Sequence, residues 1–342
     1  MRELNFVEPR KLEWRDGDEP RLEGDGEAIV RPVAVATCDL DAVVIAGRFP
    51  VEGPFPFGHE CVAEVVDVGG GVGSVEPGDR VSVAFQISCG QCETCRAGHS
   101  GSCTTTPRLA MYGLPLGGAW GGFLSDAVRV PYADAMLVGL PDGVASEAAA
   151  SLSDNIVDAW RTVAPQLAEN PGAAVLVCGG AGSIDLYAVA IAAALGAERV
   201  DYVGGRGEDW RKLAGELGAN VIGDEFPDRV GSYPITVDAS GREAGLACAL
   251  RSTAPDGACT SVGIYATPTT PIPLFEMYTK GITFLTGRVH AREAMPEALE
   301  LIADGRLDPE PVTRRTVDWD DAAEALAEHP EKLVIRRPGG GA

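Results

Sequence analysis

Positive charge is what this chain has least of. Four of its 342 residues are lysine, and Lys+Arg total 28 against 50 Asp+Glu, a formal net charge of −22. Such a surface repels phosphate backbones and anionic lipid, so neither nucleic acid nor membrane is an expected partner. Long apolar runs are missing too: no stretch reaches the ~18 residues that a membrane-spanning helix needs. Met1-Arg2-Glu3-Leu4-Asn5-Phe6 lacks the apolar core of a secretory signal, which makes the cytoplasm the expected location. Aromatics are sparse at 6%, but 45% hydrophobic and 23% charged residues are a globular balance that excludes a disordered chain. At ~100–200 residues per domain, two domains are expected.

Up to about residue 145 the chain is rich in Val, Gly and Pro in short segments. Runs such as Ala28-Ile-Val-Arg-Pro-Val-Ala, Val62-Ala-Glu-Val-Val-Asp-Val and Arg80-Val-Ser-Val-Ala-Phe read as strands, with turns such as Glu76-Pro-Gly-Asp between them. This is an all-β segment, expected to close as a small barrel. From Ser146, read as a helix cap, apolar strands alternate with helices: Ala173 to Cys178, Ile184 to Leu195, Arg199 to Val203, Trp210 to Leu217, Ile235 to Asp238, Cys259 to Tyr265. That alternation implies a parallel, doubly wound sheet. A helix over Glu293 to Ala303 and a strand at Lys332-Leu-Val-Ile-Arg close the pattern. The Gly339-Gly-Gly-Ala tail is expected to fray.

Nine cysteines are an odd number, and four of them, Cys89, Cys92, Cys95 and Cys103, follow C-x2-C-x2-C-x7-C. In a reducing compartment such crowding reads as metal binding rather than as a disulfide framework. Four thiolates on one loop can close a tetrahedron around Zn²⁺, a structural site with no open position. An iron–sulfur cluster and four unrelated cysteines are the weaker alternatives.

Gly58-His59-Glu60 followed by this loop resembles the zinc-dependent alcohol dehydrogenases of the medium-chain dehydrogenase/reductase superfamily. Val130-Pro-Tyr-Ala-Asp-Ala-Met-Leu and Ser151-Leu-Ser-Asp154 are closest to its threonine and formaldehyde dehydrogenase-like branch. The resemblance covers essentially the whole chain. It implies a GroES-like catalytic domain over 1–145, completed by 288–342, and a Rossmann domain over 146–287. It further implies a second, open zinc site on Cys38, His59, Glu60 and Asp154, with Asp41 orienting His59 through its other ring nitrogen. Zinc would polarise the oxygen of an alcohol, aldehyde or ketone while hydride passes to or from a nicotinamide.

Two departures touch the proton path. Leu40 stands where the family has a hydroxyl, and Asp158 stands where a Thr is common beside the nicotinamide. The remaining proton carriers are then Glu60 and Asp158, the latter expected to have a raised pKa in an inter-domain cleft. Phe57, Trp120, Trp160 and Phe275 are candidate pocket walls, with ordinary packing as the alternative for each.

Val175-Leu-Val-Cys-Gly-Gly180-Ala-Gly182-Ser183-Ile184-Asp185 follows a strand and opens a helix, as a dinucleotide-binding turn does. Gly180 and Gly182 fit the glycine pattern, Ser183, Ile184 and Gly263 complete the expected cofactor contacts, and Asp185 replaces the third glycine. Asp185, and Asp39 at a position where relatives place a cation, are expected to weaken phosphate binding unless they turn away. The second strand ends in Gly204-Gly205-Arg206 rather than in the acid that binds the ribose of NAD. A missing acid with Arg206 beyond it, and Arg211 nearby, favours NADP(H) over NAD(H).

The expected function is zinc-dependent hydride transfer between NADP(H) or NAD(H) and a small alcohol or carbonyl compound. The alternative is a relative that has lost hydride transfer and serves as a redox-neutral zinc enzyme or a zinc-stabilised binding protein. Ile282-Thr-Phe-Leu-Thr, an apolar strand at the expected sheet edge, points to a homodimer or homotetramer.

Overall fold

The computed structural model of the chain describes residues 1–180, 182–265, 267–328 and 332–339. Gly340, Gly341 and Ala342 of the tail lie outside that range. The chain separates into two units. One is Met1–Val157 with His290–Gly305 and Thr313–Ala342; the other is Asp158–Val289 with Arg306–Val312.

The first unit is built on a seven-stranded sheet, accompanied by a three-stranded one formed by Lys11–Asp16, Arg2–Glu8 and Phe55–Pro56. The strand Ala28–Ala36 is the hub of the larger sheet. It is buried at every position but Arg31, and pairs antiparallel with Glu60–Val68, Leu333–Arg336 and Val128–Val130. A strand covered on both faces reads as a continuous apolar run rather than an alternation, which is how Ala28 to Ala36 looks in sequence. Proline cannot donate to a ladder, and the register slips at Pro32 where the pairing with Glu60–Val68 is irregular. Register also prepares the site: Ala36 lies opposite both Glu60 and Val334, so Thr37-Cys38, Glu60 and Lys332 converge at one end of the sheet.

The second unit is a parallel sheet of six strands. Its spatial order is Asn220–Gly223, Val200–Gly204, Val175–Gly179, Tyr233–Asp238, Thr253–Ser261, Thr283–Thr286. In chain order that is third, second, first, fourth, fifth, sixth, so the winding reverses between Val175–Gly179 and Tyr233–Asp238. The crevice at the carboxyl ends of the strands flanking such a reversal is where sheets of this kind bind ligands. The central strand is buried throughout, and the helix Ile184–Ala194 that follows it is nearly so.

Three helix starts differ from the sequence reading. Ser146 does not cap its helix: Ala145 holds that place, and Ser146 is buried with its Oγ 3.5 Å from Arg80 Nη1. Gly207–Glu216 begins ahead of Trp210 and Ala291–Ala303 ahead of Glu293. Backbone caps and tertiary contacts set these starts, and neither is written in side-chain periodicity. No helix among the described residues is long and apolar enough to cross a membrane.

Candidate active site and metal centres

The cysteine loop gathers as its spacing predicts. The sulfurs of Cys89, Cys92, Cys95 and Cys103 all lie within 4.8 Å of one another. Cys92 Sγ and Cys103 Sγ are 4.0 Å apart, close to the ~3.8 Å edge of a tetrahedron with 2.3 Å Zn–S bonds. Backbone amides point at the sulfurs: those of Gln91 and Cys92 donate to Cys89 at 3.4 and 3.3 Å, and that of Cys95 to Cys92 at 3.5 Å. Hydrogen bonds from Thr104 and from the Cys95 amide bring the Cys92 thiol down to about 5, which favours its thiolate. All four cysteines are free of disulfides. The donor set fits a closed tetrathiolate zinc site.

The second cluster is assembled from three separate segments of the first unit. Donor atoms of Cys38, His59, Glu60 and Asp154 also lie within 4.8 Å of one another. Cys38 precedes the short helix Asp39–Ile45, His59 immediately precedes and Glu60 opens the strand Glu60–Val68, and Asp154 sits in the π-type turn Leu152–Ile156. Such turns recur at functional sites because the extra residue re-aims a side chain. His59 Nε2 lies 3.3 Å from Asp154 Oδ2, and its Nδ1 is 3.5 Å from Asp41 Oδ1. The Asp41 contact is within ion-pair range, yet both of its atoms lack hydrogen-bond geometry. Asp41 is instead fixed through its other oxygen, which accepts the Cys38 amide at 2.9 Å.

The electrostatics of this cluster call for a cation. Burial, then the charges of Asp154 and Glu60, push the Cys38 thiol well above its ordinary value. Burial pushes Glu60 up to about 8 despite Lys332. Burial alone would strip the proton from His59, but Asp41, Asp154 and Glu60 outweigh it and raise His59 to about 9. Cys38, His59 and Glu60 hold their protons tightly, while His59 keeps Asp154 ionised against the pull of burial. A thiol, an imidazole and two carboxylates in such a field suit a borderline metal. The donor set therefore fits an open zinc site.

Lys332 is the functional neighbour that sequence reasoning missed. Its ammonium is buried, donates to the Thr37 carbonyl, and lies 3.1 Å from Glu60 Oε2. The available signal was a lysine, scarce in this chain, opening an apolar strand.

Asp158 belongs to the second unit, in the helix Val157–Glu169. Arg161 Nε donates to its Oδ1 at 2.5 Å, while Arg161 Nη2 holds the Gly287 carbonyl at 2.7 Å. The Asp158 carboxylate is thus bound to a guanidinium of its own helix, one turn on. Of the candidate pocket walls, Phe57 and Trp160 are buried, Trp120 is half-buried, and Phe275 is 78% exposed.

At the nucleotide turn, Gly180 approaches the next strand so closely that a Cβ would stand 2.4 Å from the Ala239 carbonyl oxygen. Gly182 is half-buried, and Ser183 precedes the helix Ile184–Ala194. Gly263 follows the strand Thr253–Ser261 and packs on Gly241 and Tyr265. Gly204 has φ +92° and faces the Phe226 ring, so a ribose-binding acid has no room at that position. Arg206 is exposed at the start of the helix Gly207–Glu216, and Arg211 is near enough for its charge to reach Tyr202. Asp185 is buried rather than turned to solvent, and Asp39 lies in the first turn of its own helix in the other unit, where the helix dipole favours an acid.

Comparison with known proteins agrees with this geometry. The alcohol dehydrogenase GroES-like domain family matches residues 24–142 and the zinc-binding dehydrogenase family residues 184–304. A protein of Mycobacterium tuberculosis named probable zinc-binding alcohol dehydrogenase is 30% identical over 320 residues, 90% of this chain and 80% of that one. The glutathione-independent formaldehyde dehydrogenase of Pseudomonas aeruginosa is 34% identical over 205 residues, 56% of this chain and 51% of that one. Among solved structures, alcohol dehydrogenase TADH from Thermus sp. ATN1 has a TM-score of 0.86 at 27% identity, covering 98% of this chain and 100% of that one. A redox-neutral or non-catalytic role finds no support among these relatives. The chain belongs to the zinc-dependent alcohol dehydrogenases of the medium-chain dehydrogenase/reductase superfamily, NAD(P)-dependent oxidoreductases built from a GroES-like domain and a Rossmann domain.

Proposed function

We propose that this chain works with two zinc ions of separate purpose and prefers NADP(H) in exchanging hydride with a small alcohol, aldehyde or ketone. The observation that carries the reading is the convergence of Cys38, His59, Glu60 and Asp154, a buried and acid-rich donor set beside a second, all-thiol one. When bound, zinc at the mixed site supplies Lewis acidity toward the substrate oxygen, and the nicotinamide supplies or takes the hydride.

The chain's own residues do the rest. Asp41, held by the Cys38 amide, keeps a carboxylate oxygen 3.5 Å from His59 Nδ1, which favours a proton on that nitrogen and would leave Nε2 for a metal. Lys332 anchors Glu60 and balances part of the cluster's negative charge. Asp158 comes with Arg161 attached, a pair suited to orienting neighbours rather than to shuttling protons. The cysteine loop, closed on itself, contributes stability and no chemistry. Gly180, Gly182, Ser183, Ile184 and Gly263 form the dinucleotide contacts, and Arg206 with Arg211 meets the 2′-phosphate of NADP(H).

Nine free cysteines suit a reducing cytoplasm. The edge strand Thr283–Thr286, with Leu285 42% exposed and Tyr278 of the preceding helix 81% exposed, supports a homodimer or homotetramer. The deciding experiment is elemental analysis of freshly purified protein combined with an NADPH- and NADH-dependent assay on short alcohols and aldehydes. Two zinc ions per chain, one of them lost together with activity in Asp154→Ala, are expected. One zinc or none sinks the reading.

A further inference from the structure

The nucleotide turn of the second unit contains an anion of its own. Asp185, 1% exposed, uses both carboxylate oxygens. Its Oδ2 accepts the Gly180 amide at 2.8 Å and the Tyr202 hydroxyl at 2.8 Å; its Oδ1 accepts the Leu186 amide at 2.8 Å and Trp210 Nε1 at 3.3 Å. Gly180 is the residue that leaves the strand Val175–Gly179, and Leu186 lies in the first turn of the helix Ile184–Ala194. Amides at that place are the free donors with which a helix start attracts phosphate. The Leu186 amide is such a helix-start donor and the Gly180 amide belongs to the turn leading into the helix; the chain has given both to its own carboxylate.

The surroundings are shaped to keep it there. A Cβ on Gly179 would stand 2.0 Å from the Tyr202 hydroxyl and one on Gly205 2.6 Å from it, so both glycines make room for that phenol. Burial, then the charge of Asp185, push the phenol well above its ordinary value, which keeps it a donor. Tyr202 and Trp210 thus tie the strand Val200–Gly204 and the helix Gly207–Glu216 to the glycine turn through one buried acid.

We propose that Asp185 is an affinity-setting residue: its charge and its hold on the Gly180 and Leu186 amides oppose the pyrophosphate of the incoming dinucleotide, giving weak binding and rapid release. The inference rests on the reading of this turn as the dinucleotide site. Two like charges about 10 Å apart at an effective dielectric near 20 oppose each other by roughly a factor of ten in affinity. Phosphate donors already engaged add to that effect.

The test is calorimetric titration of NADPH, NADH and ADP-ribose into the full chain. Asp185→Asn is expected to tighten all three about tenfold, because all three carry the pyrophosphate and the substitution removes the charge and, by turning one acceptor oxygen into an NH2 donor, also releases donors that this oxygen held. Tyr202→Phe keeps the charge and removes one donor to it, and is expected to weaken all three about threefold. If Asp185→Asn does not fold, Asp185→Gly combined with Tyr202→Phe removes the acid together with the hydroxyl that serves it, and binding is again expected to tighten. Unchanged or weaker binding by a folded Asp185 variant, with the parent chain still binding, overturns the proposal and leaves Asp185 a scaffold. Binding by neither the parent nor the variants overturns the dinucleotide reading and the proposal with it.

Discussion

The two metal-type clusters of the first unit have four donors each and are built in opposite ways. The thiol cluster lies between Cys89 and Cys103 and draws its stabilisation from amides of the same loop. The mixed cluster draws on positions 38, 59, 60 and 154, and its orienting partners come from positions 41 and 332. A local cluster needs only its own loop to form. A distributed one needs the sheet register that brings Ala36, Glu60 and Val334 together, and it concentrates buried charge that must be balanced from afar. The difference separates a site that makes the fold from a site that the fold makes.

Substitutions can break that comparison. The largest effect is expected from Cys95→Ala, which should lose one zinc and either aggregate or melt about 10 °C or more below the parent, because structural zinc supplies folding energy directly. Melting within about 2 °C of the parent would show that the loop does not make the fold. Next comes Lys332→Met. Leaving Glu60 buried without its counter-charge should cost about 3–5 kcal/mol in denaturant unfolding above about pH 8, where Glu60 is ionised, and less at neutral pH. Asp154→Ala should do the reverse of Cys95→Ala: a melting temperature within about 3 °C of the parent, and kcat at least about 100-fold lower.

A pH series sharpens the comparison further, on protein treated with a mild chelator until one zinc per chain remains. Glu60 is raised from 4.5 to about 8 and His59 from 6.5 to about 9, so the folded state holds more protons than the unfolded one between those limits. Stability from these two groups is full below the unfolded values and is lost as pH rises through about 8 and 9. Asp154, whose pKa is lowered through His59 against the pull of burial, acts in the opposite sense, and its contribution is lost toward acid. Zinc returning to the site displaces protons, so its affinity should climb over the window in which the chelated protein weakens. A flat melting profile between pH 6 and 9 would count against a proton-holding mixed site. The smallest effect lies in the other unit: Arg206→Ala should raise the KM for NADPH about tenfold and that for NADH less than about twofold.

Much of this was legible in order of residues alone. Four cysteines at that spacing announce a thiol cluster, and Gly180 and Gly182 between an apolar strand and an apolar helix announce a strand-to-helix turn. Gly204 at the end of the second strand announces a missing acid, and the structure adds why: a positive φ against the Phe226 ring. What could not be read were the partners of buried charges. Nothing near Glu60 in sequence points to Lys332, nothing near Asp158 marks Arg161 as its clamp rather than a surface cation, and Asp185 reads as a defect until Tyr202 and Trp210 are seen to serve it.

The sequence by itself determined the class of fold, the thiol cluster and the glycine turn between the strand Val175–Gly179 and the helix Ile184–Ala194. Each rests on periodicity or on contacts within a few residues, and chain connectivity carries such information directly. Only the tertiary structure decided which carboxylates are paired, which protons are held, and that the acid in the glycine turn faces inward. A buried charge is tolerated only where strand register and helix packing deliver its partner, and in this chain that partner is as far away as Lys332 is from Glu60.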